Sequence, residues 1–189
     1  RSLNSSMRRT KQKVYDYARA NTWDWFMTWT FSKERVKSRY DYVELSKRMS
    51  QWLKDVRKRR APDMMYLVVP EYHQDGAIHF HGLMSDIGEL SLIDSGVRDG
   101  RGRQIYNVED FGLGFTTATR VTDSLKAANY ISKYITAEML FLTKDRKRYW
   151  VSRNLEKPLE SKMIVSEGVK QEIIDMYSES AKKTKKIEV

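Results

Sequence analysis

Met65-Tyr66-Leu67-Val68-Val69-Pro70-Glu71-Tyr72-His73-Gln74-Asp75-Gly76-Ala77-Ile78-His79-Phe80-His81-Gly82-Leu83-Met84 is the stretch whose reading decides the fold. Two runs rich in apolar and β-branched residues flank a Gln-Asp-Gly turn signal, which predicts a β-hairpin of residues 65–73 and 78–84. Successive strand residues face opposite sides, so His79 and His81 project together while Phe80 points away. Whether Glu71 joins them depends on register. A two-residue Asp75-Gly76 turn sets Glu71 opposite Phe80, on the wrong face. A three-residue loop with Gly76 in the left-handed conformation and a bulge pairs Glu71 with His79, leaving Tyr72, Ile78 and Phe80 on the other side. Two imidazoles and a carboxylate can hold one divalent ion with coordination positions open for substrate, so the metal reading requires the second register. His73 shares the strand parity of Glu71 and competes as third ligand. All three histidines of the 189-residue chain fall between positions 73 and 81.

Outward from the hairpin, Trp23 to Ser32 reads as a strand with Trp23, Trp25, Met27, Trp29 and Phe31 on one face and Thr28, Thr30 and Ser32 on the other. Asp41 and Glu44 resemble a capping box opening a helix, with Leu45, Met49, Trp52, Leu53 and Val56 at helical spacing. That helix ends in Arg57-Lys58-Arg59-Arg60. These cations suit the helix dipole, and Arg57, Arg59 and Arg60 are also candidate phosphate contacts. Residues 94–107, with Gly96, Gly100 and Gly102 among Arg98, Arg101 and Arg103, read as a mobile basic loop that binds DNA. A strand is expected over residues 114–121, another near residues 148–152, and a terminal helix over residues 165–180 followed by a basic tail.

A single helix is expected from about Asp123 to Leu142. On it Tyr130, Lys133, Tyr134 and Ala137 share a face, while Ala128, Ile131, Ile135, Met139 and Leu142 form a separate apolar stripe. Two aromatics one turn apart are ordinarily core packing, but here the core stripe lies elsewhere. A phenol is an oxygen nucleophile, and a neighbouring lysine favours phenolate and can neutralise a phosphate oxygen.

The net charge of +10 makes an acidic polymer the expected partner. With 40% hydrophobic residues, five Trp, six Phe and eleven Tyr, the chain has the material for a packed core. There is no cysteine, which excludes disulfides and Cys-based zinc sites. No apolar run approaches the roughly 20 residues of a membrane span. No signal peptide is visible, and a cytoplasmic location is expected. No phosphate-loop motif of an ATP-driven motor occurs.

As an ordered set over residues 23–158, these residues resemble the HUH endonuclease superfamily. In that superfamily a His-hydrophobic-His pair binds a divalent metal and a tyrosine attacks single-stranded DNA. The order of Glu71, then His79 and His81, then the tyrosines is similar to the replication initiators rather than to conjugative relaxases. Met27-Thr28-Trp29-Thr30-Phe31-Ser32 resembles the family's first motif. Tyr130-Ile131-Ser132-Lys133-Tyr134 resembles the two-tyrosine motif of the gene A protein of small single-stranded DNA phages. Ser152-Arg153-Asn154-Leu155 with Pro158 is similar to the group related to filamentous-phage gene II protein.

The resemblance implies an α/β (α+β) fold, with a central antiparallel sheet of about five strands and flanking helices in a palm-like arrangement. Residues 1–22 would be a basic arm or helix, 23–158 the endonuclease domain, and 159–189 a C-terminal helix and basic tail on the same domain. It implies metal ligation by Glu71, His79 and His81, with Mg²⁺ or Mn²⁺, nucleophilic roles for Tyr130 and Tyr134, and an auxiliary role for Lys133. The activity implied is site-specific nicking and strand transfer on single-stranded or hairpin origin DNA through a 5′-phosphotyrosyl link. Such nicking initiates rolling-circle replication, with a host helicase and polymerase as partners. A single-strand transposase or mobilisation relaxase would use the same chemistry, and a non-catalytic single-strand-binding module is the alternative from another class.

Overall fold

A computed structural model describes residues 3–158 and 166–178. The chain divides into two compact units, Arg1–Pro158 and Leu159–Val189. In chain order the first unit contains α1 (Leu3–Ala20), β1 (Trp25–Phe31), α2 (Tyr42–Arg59), β2 (Met65–Tyr72), β3 (Ile78–Ser85), β4 (Leu92–Arg98) and β5 (Gln104–Val108). It continues with β6 (Gly114–Arg120), α3 (Ser124–Ser132), α4 (Ala137–Leu142) and β7 (Trp150–Val151). The described part of the second unit is α5 (Glu167–Ser178), within the expected terminal helix. The expected basic tail lies outside the described residues.

The strands form one antiparallel sheet in the order β4-β5-β6-β1-β3-β2-β7. About five strands were expected, and seven are present among the described residues. The extra pair is β4–β5, where the glycine-rich stretch reads as a loop but folds as a hairpin. Asp99 makes the difference: its carboxylate accepts from the backbone N–H groups of Arg101 and Arg103, both at 2.9 Å, and from Arg103 Nε at 2.7 Å. That tie closes the turn, while a register shift between Asp94 and Arg98 takes up Gly96.

Two apolar layers enclose the sheet. On one side Trp25, Met27, Trp29 and Phe31 of β1, with Val68 and Phe80, pack against Leu45, Met49, Trp52 and Val56 of α2. Trp29 meets Trp52 edge-on at 5.6 Å, and Phe80 meets Trp150 at 5.4 Å. Burying one such ring contributes roughly 1.5–3 kcal/mol, so this layer dominates stability. The start of α2 is fixed by Asp41, whose carboxylate accepts from Val43 N at 2.9 Å and Glu44 N at 3.2 Å. The expected capping box is half made, because Glu44 pairs with Arg48 one turn on, at 2.9 Å. On the other side of the sheet Leu67, Val69 and Leu83 pack with Val14 and Ala18 of α1, Ala128 and Ile131 of α3 and Met139 of α4. The N-terminal basic segment is therefore a helix built into the core.

The helix expected over residues 123–142 is broken in two. Ser132 Oγ donates to Asn129 O at 2.9 Å, and Thr136 caps α4 by accepting from Met139 N at 3.2 Å. Between these hydroxyls the backbone tightens, with Lys133 N bonded to Tyr130 O at 3.1 Å and Ile135 N to Ser132 O at 3.3 Å. Tyr134 thus lies in a tight turn rather than one helical turn along from Tyr130.

Candidate active site

Gly76 adopts φ +82°, and the loop closes through His73 N to Ala77 O at 2.9 Å and Ala77 N to Asp75 Oδ1 at 3.0 Å. This is the three-residue loop, and it pairs Glu71 directly with His79. Glu71, His79 and His81 consequently face the same side of the sheet, the side covered by α1, α3 and α4. Ile78 and Phe80 are buried on the reverse face, but Tyr72 is exposed at the strand end.

The central strand β1 sets Thr28 opposite His81 and Thr30 opposite His79. Each threonine hydroxyl meets the Nδ1 of its histidine, at 3.0 Å for Thr28 and 3.5 Å for Thr30. His81 Nε2 lies 2.6 Å from Glu71 Oε2. A carboxylate only accepts, so His81 Nε2 carries the proton and donates; in the neutral ring Nδ1 then accepts from Thr28. That bond holds the Glu71 carboxyl below its ordinary range. Burial, together with the neighbouring His73 and His81, lowers the pKa of His79 and favours its neutral form. His73 stacks on His79 with ring centroids 4.8 Å apart and is tied to Asp75 at 3.1 Å.

Among the described residues no three His, Cys, Asp or Glu side chains form a ready-made metal cluster. The donor types of Glu71, His79 and His81 nonetheless fit a divalent ion that accepts nitrogen and oxygen, such as Mn²⁺. The Glu71–His81 hydrogen bond is the contact such an ion would replace.

The tyrosines pack onto this group. The Tyr134 ring lies flat on His81, with centroids 3.8 Å apart and planes 8° from parallel. Tyr130 stands edge-on to Tyr134 at 5.6 Å and to Phe26 at 5.2 Å. Lys133 Nζ is 5.8 Å from the Tyr130 ring. The two phenols differ in environment. Burial pushes Tyr134 far above the ordinary phenol range, helped by its hydrogen bond with Tyr130 and the nearby charges. Tyr130 is 46% exposed.

Tyr130 opens onto a cleft of about 600 Å³ between the β1–β6 face, the tip of the β4–β5 hairpin and α3. Phe26, Thr28, Arg101, Arg103, Lys126 and Lys133 are among its walls. The hairpin therefore brings Arg101 and Arg103 to the tyrosine side, with Arg103 partly engaged by Asp99 at 2.7 Å. Arg98 instead donates to Gly102 O in its own turn, at 2.8 Å. Arg57, Arg59 and Arg60 lie at the end of α2, which packs on the reverse face of the sheet. There Arg57 donates to Pro62 O at 3.1 Å and Arg60 pairs with Asp110 at 3.3 Å.

Sequence reasoning assigned no role to Thr28, Thr30, Phe26 or Phe115. Phe115 is opposite Thr30 on β6 and 71% exposed, so Glu71, His79, Thr30 and Phe115 form one cross-strand row. The available signal was its place in a strand otherwise made of small and polar residues, Gly114-Phe115-Thr116-Thr117-Ala118-Thr119-Arg120.

The family of replication-associated proteins of the ORF2 and gene II protein type matches residues 24–139, more than half of the chain. The match takes in the hairpin, the β4–β6 strands and both tyrosines. No curated protein and no solved structure matches the chain at a significant level.

Proposed function

This chain belongs to the family of replication-associated proteins of the ORF2 and gene II protein type, and on that premise we propose that it nicks and rejoins single-stranded DNA at a replication origin to initiate rolling-circle synthesis. The observation that carries the reading is Tyr134 stacked on His81, with Tyr130 edge-on to Tyr134 and open to the basic cleft. Tyr130 is the exposed phenol and acts first. Its oxygen attacks the scissile phosphorus and its proton passes to solvent at the open mouth. The P–O3′ bond breaks, the 3′ oxygen takes up a proton, and the DNA is left 5′-linked to Tyr130.

Glu71, His79 and His81 would hold a divalent ion, Mg²⁺ or Mn²⁺. When bound, it supplies charge neutralisation at the phosphate. Thr28 and Thr30 orient the two imidazoles through Nδ1, the supporting role that hydrogen-bonded neighbours of ligating histidines take. Lys133, with Arg101 and Arg103 across the cleft, neutralises phosphate oxygens. Tyr134 serves a second cleavage after its turn opens. Phe115 offers its exposed ring to a base next to the scissile step.

The test is incubation with single-stranded origin oligonucleotides and Mn²⁺, scoring a covalent protein–DNA adduct that EDTA prevents. A second reading, a binding module without chemistry, draws on one observation: Glu71 and His81 already satisfy each other at 2.6 Å. Salt-sensitive binding with no adduct under any divalent metal would favour it.

A further inference from the structure

Beside β7, at the opposite edge of the sheet from β4, α1 and residues 146–149 enclose a second concavity of about 680 Å³. Nothing in the chemistry above uses it. Arg9 and Lys13 stand one turn apart on α1, hence on one face of that helix, and Arg146, Lys147 and Arg148 come from the facing segment. Among the described residues none of these five cations is ion-paired with a carboxylate. Arg148 is held by neutral groups instead, donating to Ser6 Oγ at 2.7 Å and Thr10 Oγ1 at 3.3 Å. Its charge is positioned but not cancelled. The Lys147 carbonyl accepts from the buried Tyr42 hydroxyl, which anchors the segment to the core. The Lys147 ammonium lies over the Trp150 ring at 5.5 Å and near Lys54, on the α2 side, so the charge facing the concavity is that of Arg9, Lys13, Arg146 and Arg148.

Cations and hydroxyls take phosphate oxygens, whereas reading or stacking single-stranded bases needs exposed aromatic faces. The one aromatic in the wall, Tyr149, is half-buried and leans on Tyr17 at 6.5 Å. The cleft at Tyr130, by contrast, has the exposed Tyr130 ring in its wall. We propose that the α1–β7 concavity binds the phosphate backbone of a double-stranded segment flanking the single strand processed at Tyr130. This rests on the reading of the chain as a DNA-processing protein, but not on cleavage.

The test is binding by the full chain in EDTA, where cleavage does not contribute. Two fluorescent probes are used: a hairpin carrying a single-stranded arm, and the arm alone. The Arg9→Gln/Lys13→Gln/Arg146→Gln variant is compared with wild type and with a Lys37→Gln/Lys47→Gln/Lys58→Gln control of equal charge. For the hairpin, the slope of log affinity against log salt should fall by about 2–3, since each phosphate contact contributes about 0.9. Arm binding should stay within about twofold, which also certifies that the variant is folded. Equal losses on both probes, no loss on either, or the same loss in the control would overturn the assignment. Failure of wild type to form any adduct would sink the cleavage reading and leave this one standing.

Discussion

Strands β1, β2 and β3 present two faces made from alternate residues of the same short segments. Toward α2 they offer Trp25, Met27, Trp29, Phe31, Val68 and Phe80, all buried. Toward the tyrosines they offer Thr28, Thr30, Glu71, His79 and His81, joined by hydrogen bonds of 2.6–3.5 Å. The two-residue period of a strand lets one stretch of chain serve as scaffold on one side and as the polar surface of the proposed site on the other. The aromatic side fixes strand positions tightly enough that a threonine on β1 can orient a histidine on β3. Stability and chemistry are therefore expected to separate by face.

The largest effects test that separation directly. Trp29→Ala should cost about 3–5 kcal/mol of stability, by opening a cavity against Trp52. His81→Ala should shift stability by only about 1–2 kcal/mol while reducing cleavage to background. Chemical denaturation and an adduct assay on both variants check the pair. A His81→Ala protein that unfolds as readily as Trp29→Ala would break the comparison. Next in size is Thr28→Val, which keeps the shape but removes the hydroxyl from His81 Nδ1. Weakening of metal affinity by about 10–100-fold is expected, measured by Mn²⁺ titration, with the denaturation midpoint little changed.

A smaller effect is expected at the rim. Phe115→Ala should weaken single-strand binding by about 1–3 kcal/mol, and Phe115→Trp should restore it, because the ring acts through its face. Affinity unchanged by Phe115→Ala would remove Phe115 from the substrate path.

The smallest effects are in pH dependence, and the faces differ in sign. Burial raises the phenol pKa of Tyr42, on the α2 side, in the folded state. Its contribution is therefore complete below the unfolded value of about 10 and lost as pH rises above it. Glu71, on the site face, has its folded pKa lowered by His81. Its contribution is present above the unfolded value of about 4.3 and lost as pH falls below that. Denaturation midpoints against pH should show Tyr42→Phe flattening part of the alkaline limb and Glu71→Gln part of the acid limb.

Much of this contrast was legible in the sequence, for reasons tied to particular residues. The hairpin was legible, although its sequence admitted two registers and only the structure chooses the one that pairs Glu71 with His79; β1 followed from its alternation of tryptophans with threonines. The α2 stripe was complete, from the Asp41 cap to Val56. The β4–β5 hairpin was hidden because glycines and arginines mask a β pattern, and the Asp99 turn that closes it is a side-chain device. The break before Tyr134 was hidden because helical spacing continues unbroken through residues 128–139, while the hydroxyls of Ser132 and Thr136 decide the backbone. The roles of Thr28, Thr30 and Phe115 depend on pairings between distant strands. The basic concavity needs Arg9 and Arg148 brought together across nearly the whole first unit, which no local pattern announces.

The central claim is that the odd-numbered hairpin face and Tyr130 make one reactive centre. Its most direct test is peptide mapping of the protein–DNA adduct trapped with a single-stranded origin oligonucleotide and Mn²⁺. The account predicts a 5′-phosphotyrosyl link on the peptide carrying Tyr130, absent with EDTA and absent in His81→Ala. DNA found on Tyr134 alone, or an adduct that forms undiminished without divalent metal, would contradict it.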